Sequence, residues 1–277
     1  MKVTTRPSQI QQPNFGFPSK LGQEAEDYFQ HALFYLKNQK NTNDIFWSRL
    51  AEKPSFHGAK VLELGCGLGS LSLDIASAGA AEVIGLDLNE RDVEFAQMNL
   101  QQNYPQLQNK VKFLAVNLQD YSEKDFDFIV SKDTFEHVLD LEIVLSEIKK
   151  RLKIGGKLYT GFGPLWHSPF GFHGNLYGWN FTNKYPWGHL LLSEAQIVSS
   201  WNNSTNQKIN SFADLGMNKL STAQYHHIFA NCGLEIEKFQ VNKSNSLQSK
   251  IFALLYSLPF IGKYFCHNIY CIFRKDQ

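Results

Sequence analysis

Between Lys60 and Phe162, short apolar blocks alternate with stretches whose apolar residues recur every three or four positions. A tight apolar run bounded by turn residues reads as a buried strand, and the longer period reads as a helix with one face inward. The pattern predicts strands at Lys60–Leu64, Glu82–Asp87, Val111–Val116, Phe126–Val130 and Lys157–Phe162, and helices at Ser70–Ala78, Arg91–Asn103 and Leu141–Leu152. Punctuation agrees: Gly79 and Gly155-Gly156 can end helices, and Pro105 stops the one that begins near Arg91. Strands alternating with helices argue for an α/β, doubly wound, mostly parallel sheet covered on both faces.

Flanking this core, Ala25, Tyr28, Phe29, Ala32, Leu33 and Leu36 predict an N-terminal helix over Leu21–Asn38, with a short second helix at Ile45–Glu52. The rhythm breaks at Gly163–Asn210, where Pro164, Trp166, Pro169, Trp179, Pro186 and Trp187 crowd among glycines and histidines. A stretch this long after the fifth strand reads as an insertion over a site. The rhythm resumes with helix Thr222–Cys232, strand Leu234–Val241, helix Leu247–Leu258 and strand Asn268–Arg274. The expected organisation is an arm with helices at 1–57, a core at 58–163, an aromatic-rich insertion or substrate lid at 164–210, and completion of the sheet at 211–277.

Composition narrows the partners. Of 277 residues, 43% are hydrophobic, enough for a core, and 27 basic against 26 acidic residues leave a formal charge of +1. No overall field would gather a phosphate backbone, so nucleic acid is not an expected partner. Only Lys184 is basic between Gly163 and Gln207, which weighs against an RNA-facing insertion. Cys66, Cys232, Cys266 and Cys271 form no CxxC pair, in keeping with reduced thiols and a cytoplasmic setting. The first twenty residues, interrupted by Pro7, Pro13 and Pro18, read as a draped arm rather than a signal peptide. The apolar stretch Ile251–Phe273 is broken by Pro259, Gly262, Lys263 and His267, so it is expected to be buried in the protein rather than to span a membrane. Nothing in the sequence fixes an oligomeric state.

The chemistry concentrates in Val61-Leu62-Glu63-Leu64-Gly65-Cys66-Gly67-Leu68-Gly69, a strand that ends on a glycine loop and opens a helix. Glycines serve there because a side chain would block a ligand from the backbone and because tight turns need positive φ. Asp87, at the end of the next strand about 20 residues on, can accept from two vicinal ribose hydroxyls. The GxGxG spacing after Glu63 differs from the GxGxxG dinucleotide fingerprint, and a pyrophosphate would sit poorly beside that carboxylate.

These residues resemble motif I of the class I, Rossmann-like S-adenosylmethionine-dependent methyltransferases of small-molecule type. Similarity extends over roughly Lys60–Phe162, through Asp87-Leu88-Asn89-Glu90, Asn117-Leu118 and Ser131–Val138. The resemblance implies S-adenosylmethionine as cofactor. Glu63, Gly65, Cys66, Gly67 and Gly69 would line its methionine end, Asp87 the ribose, and Leu88, Asn117 and Leu118 the adenine, with Asp133 also at the site. Asn117 stands where the family often has an acid. The resemblance further implies a seven-stranded sheet with an antiparallel last strand, an assignment that suits Leu234–Val241 and Asn268–Arg274.

For catalysis, His137 follows the fourth strand at the cofactor edge. Three roles stand open for it: base, pocket wall, or metal ligand as in the quinone O-methyltransferase branch, though no metal is expected. His167, His173 and His189 in the insertion are further proton acceptors, and the surrounding aromatics could form either a lid that stacks on the acceptor or a small core stapling the loop. Three functions follow: transfer of a methyl group to a small-molecule acceptor, with oxygen the expected atom; NAD-dependent oxidoreduction; or a silent cofactor-binding domain.

Overall fold

The chain was analysed in a computed structural model that describes residues 23–172, 185–204, 208–244 and 246–277. Seven strands form one sheet: β1 (Lys60–Leu64), β2 (Glu82–Asp87), β3 (Val111–Ala115), β4 (Phe126–Lys132), β5 (Leu152–Phe162), β6 (Glu235–Val241) and β7 (Ile269–Arg274). Their spatial order is 3-2-1-4-5-7-6. The first five pair in parallel, while β7 runs antiparallel between β5 and β6. The expected doubly wound sheet with an antiparallel last strand is what the chain forms.

Each strand sends alternate side chains to opposite faces, and both faces are buried. Val61, Val83, Val130, Tyr159 and Ile272 join one core with Phe46, Trp47 and Leu50 of the N-terminal helix. Leu62, Ile84, Ile129, Leu158 and Phe273 join the other with Leu145, Tyr225 and Phe229. The helices are α1 (Gln23–Leu50), α2 (Ser70–Ser77), α3 (Glu90–Asn103), α4 (Leu141–Arg151), α5 (Glu194–Ser204), α6 (Thr222–Asn231) and α7 (Leu247–Tyr256), with α5 outside these two layers.

The structure departs from the sequence reading in three places. The two expected N-terminal helices are one 28-residue helix. Between them, Asn43 is buried: its Nδ2 donates to Asp74 Oδ2 at 2.6 Å, and Lys132 Nζ donates to Thr42 Oγ1 and Asn43 Oδ1. Satisfied polar groups let the helix continue there.

Strand β5 begins directly after α4 rather than at Lys157, running through Gly155-Gly156. Leu152 pairs with Phe126, and Gly155, at φ +78°, donates to Lys275 O, so these glycines bend a strand instead of ending a helix.

The expected burial of Ile251–Phe273 holds at Cys266 and Asn268–Phe273 but not in helix α7, none of whose residues is buried. Only one side, through Phe252 and Tyr256, packs on its neighbours. No helix among the described residues is long and apolar enough to cross a membrane.

In the insertion, Phe172, Ile197, Trp201, Ile209, Phe212 and Met217 form a satellite core, with Trp166 packed against it. His173, Trp179 and Lys184 lie outside the described residues, as does the proline-bearing arm 1–22.

Candidate active site

The carboxyl ends of β1, β2 and β4 lie side by side, since Leu64 pairs with Leu86 on one side and Ser131 on the other. This is where the strand order reverses, the point at which open α/β sheets leave a crevice. A cleft of about 730 Å³ opens there, bounded by the glycine loop, the ends of β2 and β3, and the loop after β4.

The loop is held by what surrounds it. Gly65 and Cys66 both donate their N–H to Leu86 O, and Gly67 N–H donates to Asp87 Oδ2 at 2.7 Å. Its three glycines do different work. A Cβ on Gly65 would collide with Thr134, and one on Gly69 with Phe113, so both are small for packing; one on Gly67 would meet nothing within 4 Å. Gly67 is therefore where a ligand can reach the backbone. Gly69 is turned away from the cleft and starts α2 at φ +79°.

Asp87 is fixed through a chain of bonds. Its Oδ1 accepts from Asn89 N, Asn89 Nδ2 donates to Asp92 Oδ2, and Tyr28 OH donates to Asp92 Oδ1. Each Asp87 oxygen accepts one backbone N–H here and has a further lone pair for a hydroxyl. Burial raises the Asp92 carboxyl to about 6 against the opposing effect of its Tyr28 bond.

Glu63 lies on the cleft floor, 3% exposed, and accepts from Ser72 Oγ at 2.5 Å. Burial pushes its carboxyl up to about 8, although the Ser72 bond and the Lys132 charge pull the other way. Cys66 gives its backbone to the cleft, while its buried thiol packs in the core, where desolvation raises its pKa. At the far wall stand Leu88, 74% exposed, Asn117, whose Oδ1 accepts from Gln119 N, and buried Leu118. Arg151 donates to Leu118 O and Tyr121 O, tying that wall to α4.

Asp133 and His137 complete the cleft on the β4 side. Asp133, at φ +51°, is open to solvent yet ringed by protein, and this enclosure raises its carboxyl above the ordinary range. His137 Nδ1 lies 3.1 Å from Gly216 O, and burial holds its imidazole below the usual value. A carbonyl can only accept, so Nδ1 carries the proton and, in the neutral ring, the Nε2 lone pair is the basic one.

A second cavity of about 330 Å³ adjoins this cleft through Asp133, which lines both. Its other walls include Arg49, Phe170, Asn242, His267, Asn268 and Tyr270. Arg49 Nη1 donates to Tyr270 OH at 2.8 Å, and Asn268 presents a buried Oδ1 without a hydrogen-bond partner.

Nine of the expected cofactor residues thus meet in one cleft, and Gly69 alone does not reach it. His167 and His189 lie elsewhere. His189 is buried against Trp166 and Phe172, with Nε2 2.6 Å from Trp166 O. His167 packs on Tyr264, and burial with the Lys263 charge lowers it to about 4. Among the described residues no group of three His, Cys, Asp or Glu side chains is placed to hold a metal.

Sequence reasoning missed Lys132, Asp92 and Arg49. Lys132 had a signal: a charged residue ending an otherwise apolar buried strand needs partners, and here desolvation lowers its pKa while Asp133, Glu63 and Asp74 oppose that shift. Arg49 had none, since only the tertiary fold brings α1 to β7.

Comparison with known proteins points the same way. A family model described as a methyltransferase domain matches residues 55–162. The chain is 32% identical over 125 residues to the ubiquinone biosynthesis O-methyltransferase of Pelagibacter ubique, covering 45% of this chain and 49% of that protein. It is also 32% identical over 110 residues to the protein of the same name from Chelativorans sp., covering 40% and 42%. The chain therefore spans about half the length of the curated relatives it matches. A crystal structure of magnesium protoporphyrin IX methyltransferase from Synechocystis shares the fold at 17% identity, with 94% of this chain and 90% of that one covered and a TM-score of 0.52.

Proposed function

We propose that this chain, which carries a class I S-adenosylmethionine-dependent methyltransferase domain, binds S-adenosylmethionine in the larger cleft. It moves the methyl group to a hydroxyl oxygen of a small-molecule acceptor entering from the smaller cavity. One observation carries this reading: the two cavities meet at Asp133. A donor in one and an acceptor in the other face each other there.

The residues fit the cofactor. Asp87 keeps lone pairs for the ribose hydroxyls, Gly67 admits the ligand to the backbone, and exposed Leu88 with Leu118 offers an apolar wall to the adenine. Glu63 and Asp133 would sit beside the methionine moiety, and the positive charge of a bound ligand would draw their carboxyls, raised by burial, toward the ionised form.

S-adenosylmethionine, when bound, supplies an electrophilic methyl group on a positively charged sulfur. The chain must then align an oxygen with that methyl and receive its proton, alignment being worth roughly 7–11 kcal/mol of barrier. With an acceptor hydroxyl aligned on that methyl, His137 Nε2 would receive its proton, leaving a methyl ether, a neutral thioether and protonated His137. His167 and His189, held outside the cleft, have no part in this step.

Oxygen as the attacked atom is supported by the names of the relatives, which match 45% and 40% of this chain. The acceptor carries both polar and apolar surface, because Arg49, Asn242 and Asn268 wall its cavity together with Phe162, Phe170 and Phe252. Four unpaired cysteines suit a cytoplasmic site of action.

Calorimetric titration with S-adenosylhomocysteine, using NAD as comparison, tests the cofactor; transfer of labelled methyl to a panel of hydroxylated acids and phenols tests the reaction. Saturable binding of S-adenosylhomocysteine alone supports the reading, and binding of NAD alone or of neither ligand overturns it.

A further inference from the structure

Helix α7 and the turn after it turn outward the side chains that a soluble surface normally hides. Leu247, Ile251, Leu254 and Leu258 stand at intervals of four, three and four residues, so they form one stripe, and all are exposed. Phe260, 94% exposed, and Ile261 extend it past Pro259. Singly exposed apolar residues need no explanation, but a contiguous row of six does.

The turn holds this arrangement against a local penalty. Phe260 has φ +66°, a left-handed conformation that bulky L-residues rarely adopt. Ser246 caps the helix by accepting from Ser249 N at 3.1 Å, so the stripe sits on a well-formed helix.

Along the chain, the charges that flank the stripe are of one sign. From Lys238 to Lys275 the sequence contains no Asp or Glu, while Lys243, Lys250 and Lys263 flank the apolar row. Among the described residues none of these three lysines forms an ion pair with an acid. The chain as a whole is nearly neutral, so this local excess is a property of the segment that carries the stripe.

We infer that this face docks on a lipid surface bearing anionic headgroups. The apolar stripe enters the boundary between headgroups and acyl chains, and the lysines meet the phosphates. The helix lies on the membrane and does not cross it, in keeping with its ten residues. The same helix helps wall the smaller cavity, through Ser246, Gln248, Ser249 and Phe252. Docking would therefore set that cavity beside the lipid surface, within reach of an amphiphilic acceptor held there. The docking itself does not depend on the methyl-transfer reading.

Flotation of the full chain with vesicles decides the matter, using equal parts phosphatidylglycerol and phosphatidylcholine against phosphatidylcholine alone. Binding is expected to the anionic vesicles, weakening as salt is raised. Leu254→Glu and Phe260→Glu should each lower it about tenfold, since each removes apolar area and adds a repelled charge. Both variants should keep the thermal unfolding midpoint and the affinity for S-adenosylhomocysteine, so a loss of vesicle binding is separable from a loss of fold or cofactor site. Failure of the wild type to float with either vesicle overturns the inference, as does unchanged binding by both variants. A dimer in sedimentation that Phe260→Glu converts to monomer would also overturn it, by making the stripe a contact between copies of the chain.

Discussion

The backbone N–H of Gly67 and the carboxylate Oδ2 of Asp87 are 2.7 Å apart, joined by a hydrogen bond across the mouth of β1 and β2. The glycine loop and the ribose-facing carboxylate are therefore one unit. Replacing Asp87 removes a partner of the cofactor and the restraint on the loop together. Asp87→Ala should weaken S-adenosylhomocysteine binding by roughly 2–4 kcal/mol, the range of one or two charge-assisted hydrogen bonds. Asp87→Asn should be milder, since it keeps an acceptor. Calorimetry showing full affinity in Asp87→Ala would remove Asp87 from the site.

The glycines of the loop should separate by phenotype. Gly65→Ala drives a methyl group into Thr134, so it should lower the unfolding midpoint. Gly67→Ala faces open space and bears only the strain of φ +47°. Its larger effect should fall on cofactor affinity, and comparing midpoint with dissociation constant for both variants checks the division.

His137 should act on rate and not on cofactor binding. His137→Ala is expected to lower methyl transfer roughly 10²–10⁴-fold, the ordinary contribution of a positioned base, with S-adenosylhomocysteine affinity nearly intact. Burial keeps its pKa below the usual imidazole value, so the base form is already present at neutral pH. The rate should rise with pH only in the acid range and then level. An unchanged rate in the variant would leave Asp133 as the group beside both cavities.

Glu63 makes a prediction about stability. Its folded pKa is raised to about 8, whereas the unfolded chain titrates near ~4.3. Between those values the folded protein holds a proton that the unfolded chain has released, so stability falls as pH rises through the window and is constant above it. The slope from one such group is at most ~1.4 kcal/mol per pH unit. Asp92, raised to about 6, adds to it at the acid end. Urea unfolding of the apo-protein across this range should show the decline, and Glu63→Gln should flatten it; the same slope in both proteins would disprove the assignment.

What the sequence made legible follows from which forces act locally. Strands such as Lys60–Leu64 and Glu82–Asp87 were readable because a sheet covered on both faces favours short, mostly apolar runs, with Glu63 the exception that faces the cleft. The glycine loop was readable because its backbone needs are met by one residue type. The continuity of α1 through Thr42 and Asn43 was hidden, because their partners, Lys132 and Asp74, are distant in the chain. The exposure of α7 was hidden for the opposite reason: apolar spacing reveals that a helix has a greasy side, not which way that side points. The aromatics of the insertion left a lid and a small core equally open, and Trp166, Phe172 and Trp201 pack on one another as the second reading had it.

Helix α1 touches nearly everything of consequence. Near its start Tyr28 steadies Asp92, further along Tyr35 lines the larger cleft, its polar middle receives Lys132, and near its end Arg49 walls the smaller cavity. At about 1.5 Å per residue it is a rod on the order of 40 Å long. A rod of that length, pinned by polar bonds at mid-span, is a shared beam between the two chambers, with Tyr35 in the wall of one and Arg49 in the wall of the other.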